Sequence, residues 1–288
     1  MKPESFSRRE RGLSHWYASL GILLPTLLLG VSASAQPVTF FNGNASVTTD
    51  PNSSTGMTSW SVDGVNVLSQ QSFWLGVGNN NIIPVSGIST AATSGPTVDP
   101  NYTGYSTSYA NSQVSLSAVY SLVGGASGSG QSDLGEQIQI KNISATPLTF
   151  HFYQYAAFQN VMSVNLTSAA GFFGDAYVTG AGALVHESVN TGVIPGPSEG
   201  ETEAPGVTLG KLTAGTPFTL DGSTVGGAGA TWAFEWDETV SPGSSLIISK
   251  DLNITLALPV PEPATWSLVS VGLIGFGFLK WNSGRRCK

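Results

Sequence analysis

Glu235 and Asp237 stand two residues apart in the segment Trp232-Ala233-Phe234-Glu235-Trp236-Asp237. On a β-strand, residues i and i+2 project from one face with Cα atoms about 6.6 Å apart, a spacing compatible with the paired acids of a glycosidase. The plainer reading puts Trp232, Phe234 and Trp236 in a core and leaves Glu235 and Asp237 wetting the outer face, as candidates for ligand contact only. Beyond residue 35 only His151 and His186 remain. They are too few for a three-histidine zinc centre, and each reads as a hydrogen-bonded histidine on a strand. The single cysteine is Cys287, so residues 36–258 hold no disulfide, no thiolate nucleophile and no Cys-ligated metal. No P-loop, dinucleotide fingerprint or EF-hand occurs. Neither a metal nor a cofactor is expected, and no catalytic residue is assigned. Glu199, Glu201 and Glu203 alternate in a stretch from Gly192 to Gly206 that reads as an exposed acidic loop. Tyr102, Tyr105 and Tyr109 have rings of the kind that stack on sugars.

The elements that must position these residues are strands. From Val114 to Leu122 every second residue is apolar and the rest are mostly serine; Leu148-Phe150-Phe152 and Trp232-Phe234-Trp236 repeat the pattern. Further short runs lie at 60–67, 71–77, 136–143, 172–178, 183–189, 207–212 and 245–258, and no stretch between 36 and 258 sustains a helical stripe. An all-β chain with a β-sandwich body is the expectation. The glycine-rich run 124–130 is either a long turn or a joint between halves.

Charge is sparse and sorted by position. Only 10% of residues are Asp, Glu, Lys or Arg, against about 25% in an average domain. Four of the eleven basic residues lie in the first eleven positions and four in the last nine, which leaves Lys141, Lys211 and Lys250 against fifteen acids in the body. A net charge near −12 repels nucleic acid and anionic lipid alike.

The ends are addresses. Arg8, Arg9 and Arg11, an apolar run from Leu20 to Val31, and Ala33-Ser34-Ala35 read as a signal peptide over 1–35, cleaved between Ala35 and Gln36. Its apolar run rises only about 18 Å as a helix, too short to span a bilayer. At the other end, Pro261-Glu262-Pro263 precedes an apolar stretch bounded by Trp266 and Trp281, followed by Arg285, Arg286 and Lys288. Eighteen residues from Ala264 to Trp281 rise about 27 Å, which spans the hydrocarbon core when Lys280 snorkels, with both tryptophans at the interfaces and the arginines cytoplasmic. This is a single transmembrane helix by expectation.

The segment 259–288 closely resembles the PEP-CTERM sorting segment of bacterial exported proteins. That resemblance implies recognition of Pro261, Glu262 and Pro263 by exosortase, a membrane-embedded transpeptidase-like enzyme, after an inner-membrane-anchored intermediate. It also implies delivery to the cell surface, extracellular polysaccharide or biofilm. The body at 36–258 is then expected to play a non-enzymatic structural or binding role, with extracellular polysaccharide as a partner. The alternative is a secreted carbohydrate-binding or carbohydrate-active protein, which needs a concave cleft where Glu235, Asp237 or Glu136 meets exposed aromatic rings. Intact-mass analysis of the exported form is expected to show Gln36 as the first residue; an N-terminus upstream of Leu20 would rule out the signal peptide.

Overall fold

Period-two alternation lets an extended chain bury one face, and two sheets with such faces bury each other. In the computed structural model the described residues are 36–257, apart from 90–93, 99–102, 170–171, 181 and 191–195. The expected signal peptide with Ala33 and Ala35, the motif Pro261-Glu262-Pro263, and the anchor with Trp266, Trp281, Arg285 and Arg286 lie outside them. Among the described residues no helix is long and apolar enough to cross a membrane.

The chain first lays down β1 (Val38–Asn42), β2 (Ala45–Asp50), β3 (Gly56–Val62), β4 (Val65–Asn66), β5 (Leu68–Val77) and β6 (Ile83–Pro84). It continues through β7 (Ser94–Val98), β8 (Gly104–Ala110), β9 (Val114–Gly124), β10 (Gln131–Asn142), β11 (Leu148–Phe158) and β12 (Val161–Ala169). Then come β13 (Phe172–Gly180), β14 (Ala183–Asn190), β15 (Glu199–Glu203), the helix α1 (Val207–Ala214), β16 (Thr231–Val240) and β17 (Ser245–Leu256). The first sheet has the order β1-β2-β3-β5-β11-β16-β15, with β4 beside β3 and β6 beside β5. The second has the order β12-β13-β14-β17-β10-β9-β8-β7. Neighbours run antiparallel except for a short parallel contact of β3 with β5.

The inner faces fill one core. Val114, Leu116, Ala118, Tyr120 and Leu122 of β9 are all buried there, as their alternation predicts. Across the gap, Phe40 stacks on Tyr105 with centroids 6.1 Å apart, and the Trp60 indole donates to Ser132 Oγ at 3.1 Å. Tyr105 and Tyr109 therefore serve the core and offer no ring to a sugar; Tyr102 lies outside the described residues.

At one level the core is charged. Lys250 of β17 lies opposite Glu136 of β10 in the strand register, with Nζ 2.5 Å from Glu136 Oε2 and 3.2 Å from Glu187 Oε1 of β14, all three side chains fully buried. The first sheet answers with amides and an indole. Gln71 Nε2 donates to both oxygens of Glu136, Gln154 Nε2 to both oxygens of Glu187, and Trp232 Nε1 to Glu187 Oε2. Burial holds the Glu136 carboxyl above its usual pKa, against the pull of Lys250.

Two expectations are corrected, and of the two readings of the run 124–130 the turn is the one found. Residues 199–203 are no exposed acidic loop: they form β15 against β16, and Glu201 is fully buried. Residues 207–212 are no strand but most of α1, enclosed by Gly206 (φ 83°) and Gly215 (φ 73°), whose left-handed conformations start and stop the helix. The run 124–130 is the β9–β10 turn and no joint. The Asp63 carboxylate accepts from the Gly128 and Gly130 amides at 2.7 and 2.8 Å, and a Cβ at Gly124 would meet the Asn42 carbonyl.

Two outcomes follow from the buried charges. Lys250→Met leaves two buried carboxylates without their cation and is expected to cost about 3–5 kcal/mol in denaturant unfolding, part of which Glu136→Gln should restore in the double variant. On the outer face of the second sheet, burial and then the neighbouring Asp251 push the pKa of Asp133 up to about 6. Between about pH 4 and pH 6 the folded chain keeps a proton that the unfolded chain has lost, so stability falls as pH rises through that window. The pair is partly exposed and solvent screens it, so a shallow slope is expected in urea unfolding, one that Asp133→Asn flattens.

Candidate functional site

On the outer face of the first sheet the registers of β11 and β16 place His151 opposite Asp237 and Tyr153 opposite Glu235. On the other flank of β11, Gly76 of β5 lies opposite His151 and puts no side chain beside it. Aromatic and aliphatic residues cover part of this face. Trp74, Tyr153, Tyr155 and Ala233 pack with Ile82, Leu212 of α1 and Leu220 into a second small core. Glu201 of β15 holds the cover in place: Thr208 Oγ1 and Lys211 Nζ of α1 both donate to its carboxylate. The expectation for Glu235 fails because of this cover. Its side chain is fully buried, while Asp237 stays partly exposed beside it.

Glu235 Oε2 accepts the Leu220 amide at 2.7 Å, and Glu235 Oε1 is buried without a hydrogen-bond partner. Burial above all, and then the Asp237 charge, push its pKa up to about 8 against the Leu220 amide. His151 Nδ1 lies 2.5 Å from Asp237 Oδ1 and 4.0 Å from Glu235 Oε1. The Tyr153 hydroxyl donates to the Phe218 carbonyl at 2.5 Å, and the two rings stack at 5.3 Å. His151, Tyr153, Asn79, Asn80, Phe218 and Thr219 line a cleft of about 190 Å³. A buried carboxyl, a histidine and a second carboxylate in one small cluster can transfer protons or hold a cation.

The other expected positions separate from this cluster. Glu136 is in the charged core, facing no cleft. His186 pairs with Asp175 at 3.0 Å and stacks on Tyr177, the hydrogen-bonded role expected for it. Ser198 was not singled out from the sequence, although Gly196-Pro197-Ser198-Glu199-Gly200 spells a G-x-S-x-G pattern. Its surroundings give it a structural role: it accepts from the Asp237 amide and donates to the Glu235 carbonyl, leading into β15 with no histidine bonded to it.

Among solved structures, a bacterial glucoamylase complexed with acarbose is similar with a TM-score of 0.53 at 11% identity, over 83% of this chain and 35% of that one. The chain thus spans about a third of that enzyme's length. A putative aldose 1-epimerase from Escherichia coli K12 has a TM-score of 0.45 at 9% identity, over 77% of this chain and 99% of that one. A galactose mutarotase-like protein from Lactobacillus casei ATCC 334 has a TM-score of 0.43 at 8% identity, over 76% of this chain and 100% of that one. At such identities the glucoamylase likeness is one of fold. No curated protein matches the chain. Residues 259–280, outside the described residues, match the PEP-CTERM protein-sorting motif, and the chain therefore carries a PEP-CTERM sorting segment directly after its β-sandwich.

Proposed function

We propose that exosortase sorts this protein to the cell surface or the exopolysaccharide matrix, where its sandwich binds neutral polysaccharide without turning it over. The sorting motif at residues 259–280 carries the reading. Exosortase is the processing partner, and the membrane is a partner only through the apolar C-terminal segment before processing. The polysaccharide half draws on the outer face of the second sheet. There Gln131, Asp133, Asn253 and Thr255 line a shallow groove of about 330 Å³ beside the exposed Val123, within the usual range for small-ligand sites. Amide and hydroxyl groups on a weakly charged surface suit hydrogen bonding to sugar hydroxyls.

The absence of turnover draws on the cleft beside His151 and Tyr153. At about 190 Å³ it is smaller than the usual ligand site, and the Glu235 carboxyl beside it has no exposed surface. A glycosidase needs two carboxyl groups that both reach the scissile bond. A carbohydrate-active enzyme is the second reading, favoured by the likeness of fold to a glucoamylase complexed with acarbose and by the His151–Asp237 pair. A glycan array with the exported protein separates the two. Binding without release of reducing ends supports the first reading, and release that Asp237→Asn abolishes supports the second.

Sorting has its own test. Pro261 and Pro263 each remove an amide donor and fix φ near −65°, which holds the segment extended for an enzyme cleft, and Glu262 is the charge between them. Residues 259–288 grafted onto an unrelated secreted domain should transfer sorting in a host with exosortase. The variant with all three motif residues changed to alanine should stay in the inner membrane; processing and release like the parent would show that the motif is a hinge only.

A further inference from the structure

We infer that His151 Nδ1, Glu235 Oε1 and Asp237 Oδ1 form a binding site for a first-row divalent metal ion of the zinc type. Glu235 Oε1 is buried and accepts no hydrogen bond, although Oε2 of the same carboxyl is satisfied by Leu220. An unpaired carboxyl oxygen in the interior is costly and rare. His151 Nδ1 is 4.0 Å away, beyond hydrogen-bond reach, and already engages Asp237 Oδ1 at 2.5 Å, while the neighbouring Tyr153 hydroxyl donates to the Phe218 carbonyl.

The three atoms all lie within 4.8 Å of one another. Ligand atoms at about 2.0–2.2 Å from a tetrahedral ion stand about 3.3–3.6 Å apart. The 4.0 and 2.5 Å separations bracket that spacing, so small side-chain rotations reach it without moving a strand. The backbone already holds the set. Glu235 and Asp237 are alternate residues of β16, and His151 is the direct cross-strand partner of Asp237. Rigid neighbouring strands, backed by the core, position ligands better than loops do.

The donor types select the ion. Calcium and magnesium take oxygen ligands, whereas one imidazole with two carboxylates suits zinc and its first-row neighbours. Access is present as well. His151 and Asp237 side chains are 27% and 31% exposed while Glu235 is 0% exposed, so an ion can enter from the cleft side and find the buried oxygen behind. Three protein donors leave the remaining position to water.

The test uses the full exported chain, stripped with a chelator and titrated with Zn²⁺ by calorimetry, with bound metal counted by elemental analysis. One ion per chain is expected. Glu235→Gln keeps the size of the buried side chain, and His151→Ala removes the nitrogen ligand; each should weaken binding at least about tenfold while circular dichroism and the urea midpoint report a folded protein. Should Glu235→Gln fail to fold, Asp237→Asn on the half-exposed side carries the same expectation. His186→Ala, which disrupts the separate pair with Asp175, should bind as the wild type does. No stoichiometric uptake by the wild type, unchanged affinity in the folded ligand variants, loss of binding in His186→Ala, or equal displacement by Ca²⁺ would each overturn the assignment.

Discussion

Lys250 is held between two glutamates where no water reaches, and the packing of the two sheets depends on that meeting. Taking three charges into a core is expensive, and apolar residues of similar volume often serve stability as well or better. What the charges add is register. Glu136, Glu187 and Lys250 come from three strands of the second sheet, and Gln71, Gln154 and Trp232 from three strands of the first. A slip of one residue in any of these strands turns its polar group to the wrong face and strands a charge.

The same sheet that answers those charges is buried on both faces near its centre. Leu212 and Leu220 reach it from α1 and the segment that follows, and Glu201 ties α1 down. The cover changes the chemistry of one carboxyl. Glu235 and Asp237 sit on the same face of one strand, yet one has lost its water and the other has kept part of it. Glu235 thus gains proton affinity through what lies above it.

Alternation made the strands legible in the sequence, because a half-buried strand must alternate; Val114 to Leu122 is the clearest case. It does not say whether an outer face is covered. A partial signal was present: Phe150, Phe152, Tyr153 and Tyr155 put apolar rings on both faces of β11, and Phe73, Trp74 and Leu75 do so on β5, as strands buried on both sides should. That signal pointed at the burial of Glu235. The segment 207–212 read as a strand because its apolar residues are few and β-branched types are among them. Its helical ends are set by Gly206 and Gly215, whose positive φ no periodicity reveals. Glu199, Glu201 and Glu203 read as solvated because three acids usually are; pairing with β16 and a lysine four residues into α1 overrode that expectation. His151 was legible as a hydrogen-bonded histidine, but its partner depended on a cross-strand register that sequence does not contain.

The two outer faces of the sandwich have become different surfaces. The first sheet gives part of its outer face to a second small core, and a narrow cleft beside His151 and Tyr153 stays open there. The second sheet keeps serine, asparagine and aspartate in solvent across β9, β10 and β17, with a wider, shallower groove among them. Covering a face creates the low-dielectric pocket that raises the Glu235 carboxyl's pKa, but it removes the area a polymer needs. An extended polysaccharide needs the reverse: a broad polar surface with little to desolvate. Placing a small polar cluster on one side and an open hydroxyl-rich face on the other lets one sandwich keep both without either compromising the other.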